Sequence, residues 1–431
     1  MPDSKPGLRQ ALSAMTYGDF RWFAISLLFN SLGAQLLQTA ILWQVYVLTG
    51  SALALGLTGL ARAVPHMILS LVGGVMADRV NRVRLIQTGQ LVNALLVFAL
   101  VALTTTGQVA LWHLYLVTLL NSAFTAVTNP ARTAMIPSLI PRQNLVNAVA
   151  LNATIGQVSQ IVGPALAGIA IATVDLGPGY LINGVLYLGS MLIIAGIRTP
   201  STPEATDDSP WRSFLDGLTF VRSRQVIVSL LALDMAETIF GSYRALLPIF
   251  ATALGVGATG FGFLSAAPGV GSLLGAAFIL SLGDMRYKGL YTVFGVLAYC
   301  VALIMLALAP WYWLALVASA LLGATNSIQM IPRNSAILAI SPDAMRGRVE
   351  AFRSMLAGGG PPLGFMLSGA LAAAIGAPFA LVVGAVVCAA AVAGIGLTRK
   401  ELHDPALGNI NMESEADAAA AGAQSASRTT T

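Results

Sequence analysis

The sequence predicts an all-α membrane protein with twelve transmembrane helices arranged in two six-helix halves. Of its 431 residues, 56% are hydrophobic and 10% are charged, whereas a soluble domain carries about 25% charge. The mean hydropathy is +0.78. The apolar residues gather into runs of the roughly 20 residues that cross a bilayer, and the basic residues fall almost entirely between alternate runs.

In chain order the runs are 20–48, 53–76, 85–106, 110–134, 145–172 and 179–197, then 226–253, 258–282, 289–309, 311–338, 349–373 and 376–398. All 23 Lys and Arg except Arg62 and Arg244 lie at one set of ends. The gaps near 49–52, 107–109, 173–178, 254–257, 310 and 374–377 have none. The excess of Lys and Arg in cytoplasmic loops places both termini in the cytoplasm, which requires an even number of spans. Residues 1–19 are polar and lack an apolar core ending in a cleavage site, so the first span is expected to act as its own insertion signal.

Residues 199–210 are rich in Ser, Thr, Pro and acid and read as a linker. Trp211, Phe214, Leu215, Leu218 and Val221 then recur at helical spacing, as in an amphipathic helix lying at the cytoplasmic interface. The expected organisation is a half over 1–198, a linker with its interfacial helix over 199–225, a second half over 226–398, and a disordered cytoplasmic tail over 399–431. The halves read as repeats. Asp78 and Asp284, Pro130 and Pro332, Asn147 and Glu350, and Gly168 and Gly369 are offset by 206, 202, 203 and 201 residues. A nearly constant offset, in order, points to an internal duplication of the kind common in transporters.

Between the second and third runs stands Gly74-Val-Met-Ala-Asp78-Arg79-Val-Asn-Arg82. It resembles the signature loop of the major facilitator superfamily, with Asn81 where that family usually has Gly. A carboxylate beside arginines at a helix end can latch neighbouring helices through charge pairs and helix dipoles. A short solvated turn is the alternative. The fifth run carries Gly156 and Gly163-Pro164-Ala-Leu-Ala167-Gly168. This is similar to the fifth-span motif of facilitator exporters, although small residues at this spacing also serve plain helix packing. Asp343-Ala-Met-Arg346-Gly347-Arg348, read as the loop before span eleven, and Tyr243-Arg244-Ala-Leu-Leu-Pro248 in span seven resemble the branch that includes enterobactin exporters and macrolide efflux proteins. The resemblance implies a cytoplasmic gate built from Gly74, Asp78, Arg79, Arg82, Asp284, Arg346 and Arg348. It also implies a central cavity lined by spans one, four, seven and ten.

Those four spans hold polar stripes. Span one has Asn30, Gln35 and Gln38; span four has Asn121, Thr125, Thr128 and Arg132; span ten has Asn326, Gln329 and Arg333. Such groups line a cavity or bind neighbouring helices. Arg132 and Arg333, near the basic ends, read as topology or gate residues. Charges inside a bilayer cost about 3 kcal/mol on insertion scales and mark function when retained. Asp234 and Glu237 are three apart and share a helix face. Arg244, seven residues further, is expected on nearly the same stripe. The expectation is that Asp234 or Glu237 carries a driving proton with Arg244 tuning it, against a plain structural pairing of Glu237 with Arg244. His66, four residues from Arg62, either joins a proton relay or is a packing partner. Arg62 either binds an anionic substrate or pairs across the halves.

No phosphate-binding Gly-rich loop ending in Lys-Ser or Lys-Thr is present. Nor do the three histidines or the cysteines Cys300 and Cys388 make a metal pattern. No cofactor and no catalytic constellation is expected, and the net charge of +5 reflects topology rather than nucleic-acid binding. The reading is a monomeric secondary active exporter of a bacterial-type plasma membrane. Protons would drive it, and its cargo would be a mid-sized amphipathic compound such as a siderophore, macrolide or other drug. An importer or lipid transporter of the same fold, a non-transporting receptor and an intramembrane enzyme are the alternatives; the enzyme lacks clustered catalytic groups.

Overall fold

A computed structural model describes residues 12–77, 79–197, 210–283, 285 and 287–403. Asp78, Asp284, residues 199–209, the tail beyond 403 and the side chains of Trp211, Phe214 and Leu215 lie outside the described residues. The first half consists of α1 (Gly18–Thr49), α2 (Ala52–Ala77), α3 (Arg82–Thr105), α4 (Leu111–Leu139), α5 (Leu145–Val174) and α6 (Leu176–Ile194). The short α7 (Pro210–Ser223) follows, then α8 (Gln225–Phe240) and α9 (Leu247–Ala253), which together make the seventh span. The rest are α10 (Gly257–Ser281), α11 (Lys288–Ala307), α12 (Tyr312–Ile340), α13 (Asp343–Ile375) and α14 (Ala377–Thr398). Among the described residues, twelve helical segments are long and apolar enough to cross a membrane. Helices satisfy their own backbone groups, which lipid cannot do. Large apolar side chains face outward along them, among them Leu95, Val185, Phe294 and Leu280.

Within the first half α1 packs on α5 and α6, and α4 on α2 and α3. Within the second, α12 packs on α10 and α11, and α14 on α8 and α11. Two seams join the halves: α2 against α13, and α5 against α10. Both rest on glycine pairs. A Cβ on Gly168 would stand 2.7 Å from the Gly262 Cα and the Ala258 carbonyl, and a Cβ on Gly56 would stand 2.9 Å from the Gly369 Cα. Backbones approach this closely only where side chains are absent. Further along each seam His66 lies against Gly358, Ile161 against Gly269, and Gln157 donates to the Gly269 carbonyl at 2.8 Å. Trp43 stacks on Phe261 at 5.5 Å. These contacts run from the middle of the spans to the ends without basic residues, and they close the molecule there.

Two sequence expectations change. Asp343 to Gly347 is not a loop but the first turns of α13. The Pro342 carbonyl accepts from the Met345 and Arg346 N–H groups at 2.8 and 3.0 Å and starts the helix. The seventh span is also not one continuous helix. Pro248 has no N–H to offer the Arg244 carbonyl, and the Tyr299 hydroxyl donates to the Gly241 carbonyl at 2.9 Å. The chain therefore leaves helical geometry at Gly241 and resumes as a 3-10 turn, Arg244–Leu246. The stripe expected to join Arg244 to Glu237 is broken between them.

Candidate functional site

Asp234 and Glu237 sit past the middle of α8, and both are buried, at 9% and 4% exposure. Opposite them, Arg333 of α12 is 3% exposed. Its guanidinium pairs with the Asp234 carboxylate and donates to the Gln329 Oε1 at 2.9 Å. The Arg333 charge also acts on Glu237. Arg333 Nε and Glu237 Oε2 are buried without hydrogen-bond partners among the described residues. Arg333, expected as a topology or gate residue near the basic end of its span, is thus buried and paired in the protein interior. Around Glu237 lie Tyr299 of α11 and the buried thiols of Cys300 and Cys388, on α11 and α14. Asn326, one turn from Gln329 on α12, is exposed.

Arg244 lies across the helix break, where its charge meets Tyr243 and Arg62. Arg62 itself stands exposed at mid-span on α2 and donates to the Gln38 Oε1 at 2.5 Å. Its carbonyl accepts from the Ser122 hydroxyl at 2.7 Å, which ties it to α4. Arg62 thus combines exposure at mid-span with bonds to two neighbouring spans. Asn121 donates to the Tyr187 hydroxyl at 3.3 Å. The charges of both Arg62 and Arg132 reach that hydroxyl. Tyr187 is 1% exposed, and no sequence feature singled it out.

The other expected site residues divide by place. Asn30, Gln38, Asn121 and Thr125 are half-buried on their stripes. Gln35 turns to α5, where its Cβ faces Gly163, and Thr128 turns to α3, under Gly89. Pro164 and Gly168 meet Gly262 in the seam, but Gly156 has nothing within 4 Å and takes no part in close packing. At the basic ends, Arg82 donates to the Ala77 and Ala134 carbonyls at 3.1 Å and clamps α2 to α4. Asn81, in place of the usual glycine, caps α3 by accepting from the Arg84 N–H at 3.1 Å. Gly74 opens onto free space, and Arg79 and Arg346 are exposed. Arg348 lends its backbone as the bed for Gly217 of α7. Among the described residues no group of His, Cys, Asp and Glu is placed to hold a metal.

Twelve spans in two halves that meet at paired glycine seams define a transporter of the major facilitator type. The chain belongs to the transmembrane secretion effector family, whose model matches residues 9–418. It is 24% identical over 358 residues to the enterobactin exporter EntS of Shigella boydii serotype 18. The match covers 83% of this chain and 86% of that one. EntS of Escherichia coli O1:K1 matches to the same extent. Among solved structures, a bacterial homologue of the human lysosomal transporter Spinster, inward-facing and unoccupied, superposes with a TM-score of 0.71 at 14% identity. The superposition covers 89% of this chain and 96% of that one. The nucleoside transporter NupG superposes at 0.69 with 15% identity, over 88% and 98%. The protein is a multi-pass membrane transporter, not an enzyme.

Proposed function

We propose that the protein is a proton-coupled exporter of a mid-sized amphipathic compound, a siderophore, macrolide or other drug, working by alternating access as a monomer in the bacterial inner membrane with both termini in the cytoplasm. The observation that carries the coupling is the buried trio Asp234, Glu237 and Arg333. One arginine holds one carboxylate while a second waits one helical turn away with an unpartnered oxygen. A proton on either carboxylate changes which of them Arg333 can hold. Because Arg333 belongs to α12 and both acids to α8, that exchange alters how two cavity-lining spans pack. Arg333 thus takes the tuning role expected of Arg244. Export is supported by the similarity to enterobactin exporters, and the orientation by the one-sided distribution of basic residues.

Inverted membrane vesicles carrying the protein are expected to accumulate an amphipathic fluorescent cargo when a proton gradient is imposed, and to lose it with an uncoupler. The double variant Asp234→Asn, Glu237→Gln is expected to abolish gradient-driven accumulation while leaving cargo binding in place. Undiminished gradient-driven transport in that variant overturns the coupling assignment.

A further inference from the structure

We propose that Arg132, together with Arg62 and Tyr187, forms an oxyanion subsite on the first half, so that the cargo is an organic anion held there by its carboxylate, phosphate or comparable acidic group. This deepens the transporter reading above and rests on it.

Arg132 is 6% exposed, and its NH1 is buried with no hydrogen-bond partner among the described residues. A buried guanidinium nitrogen left without a partner is costly, and a bound anion removes that cost. The duplication shows what is missing. Arg132 and Arg333 are 201 residues apart, the same offset as Gly168 and Gly369. Arg333 has its counter-ion in Asp234, on the span that corresponds to α1. The corresponding stretch of α1, residues 27–33, reads Leu-Leu-Phe-Asn-Ser-Leu-Gly, and the helix's one acid is Asp19 in its first turn. From residue 20 to 174 the sequence contains a single acid, Asp78, at the end of the second span. The second half therefore carries an acid facing its arginine, and the first half carries none at the corresponding positions of α1.

The surroundings of Arg132 repeat the same sign. Among the described residues, the electrostatic neighbours of Arg132 include Tyr187 but no carboxylate, and those of Arg62 are Tyr187 and the like-charged Arg244. Arg62 is exposed, and Gln38 beside it and Asn121 beside Tyr187 supply neutral hydrogen-bonding groups. Cations gathered around a hydroxyl, with no acid beside them among the described residues, are the donor set of an oxyanion site. Such a site selects for the charge of the cargo and leaves the rest of its shape free.

The test uses three matched probes, dansylglycine (anionic), dansylamide (neutral) and dansylcadaverine (cationic), binding to the full chain in phosphatidylcholine nanodiscs. Dansylglycine is expected to bind at least about tenfold more tightly than the other two. Arg132→Gln is expected to remove that preference, while Arg132→Lys retains part of it and controls for folding. Equal affinity for the three probes, or an unchanged preference in Arg132→Gln, overturns the subsite. Phosphatidylglycerol that displaces dansylglycine from the wild-type protein but not from Arg132→Gln makes the anion a lipid headgroup and overturns the cargo assignment. Uptake of the same probes into inverted vesicles separates this inference from its premise. Charge-selective binding without uptake of any probe overturns the transporter reading alone. Uptake indifferent to probe charge overturns the subsite alone.

Discussion

Asp234 and Arg333 form the one ion pair between spanning segments that the described residues show in the middle of the second half. Removing one member of a buried pair leaves an uncompensated charge, at a cost of about 3–5 kcal/mol, whereas replacing both members is often near neutral. Arg333→Gln and Asp234→Asn are therefore each expected to lower the thermal unfolding midpoint in detergent, and the double variant to recover most of the loss. Additive losses in that cycle would show that the pair is no energetic unit. Asp234 and Glu237 were legible in the sequence because acids inside apolar runs are rare. Arg333 and Arg132 were visible on the polar stripes of spans ten and four but not as partners of buried groups, because each lies seven residues from the end of its span, where a basic residue also satisfies topology. Only their shared 201-residue offset set them apart. Tyr187 gave no signal at all, since an aromatic residue in an apolar helix is ordinary core.

The spanning helices were readable as elements because lipid enforces length and apolarity together. The break in the seventh was not, because it depends on the Tyr299 hydroxyl of another span capturing the Gly241 carbonyl. Pro248 was the local sign of it. The glycine seams are the converse case. Gly168 was visible as part of a small-residue motif, but its partner Gly262 lies in a helix with several glycines, and contact alone picks it out. Because a Cβ at Gly168 meets backbone rather than a movable side chain, Gly168→Val is expected to hold α5 off α10. Spin labels at Ser51→Cys and Thr252→Cys, on the two halves at the closed end, are expected to report longer distances in that variant. Unchanged distances would mean that the seam yields without parting the halves.

At the scale of the whole molecule, the pseudo-two-fold arrangement places both glycine seams at the same end, the one free of Lys and Arg, while Arg62 and Asn326 remain exposed at mid-span. The molecule is thus closed at that end, which the orientation we propose puts at the periplasm. The orientation and the state can be tested together. Cys300 and Cys388 are both buried, so in Asn326→Cys the introduced thiol is the accessible one. A membrane-impermeant maleimide is expected to label it in inverted vesicles, where the cytoplasmic face is outside, at least about tenfold faster than in intact cells. Adding Gly168→Val to Asn326→Cys prevents closure of the periplasmic end and is expected to raise labelling from the intact-cell side. Equal labelling from both sides in Asn326→Cys alone would show that the closed state is not the resting one. Faster labelling in intact cells would reverse the orientation. If the sidedness holds and Gly168→Val shifts it, a contact between two glycines sets which face of the membrane the charged cavity meets.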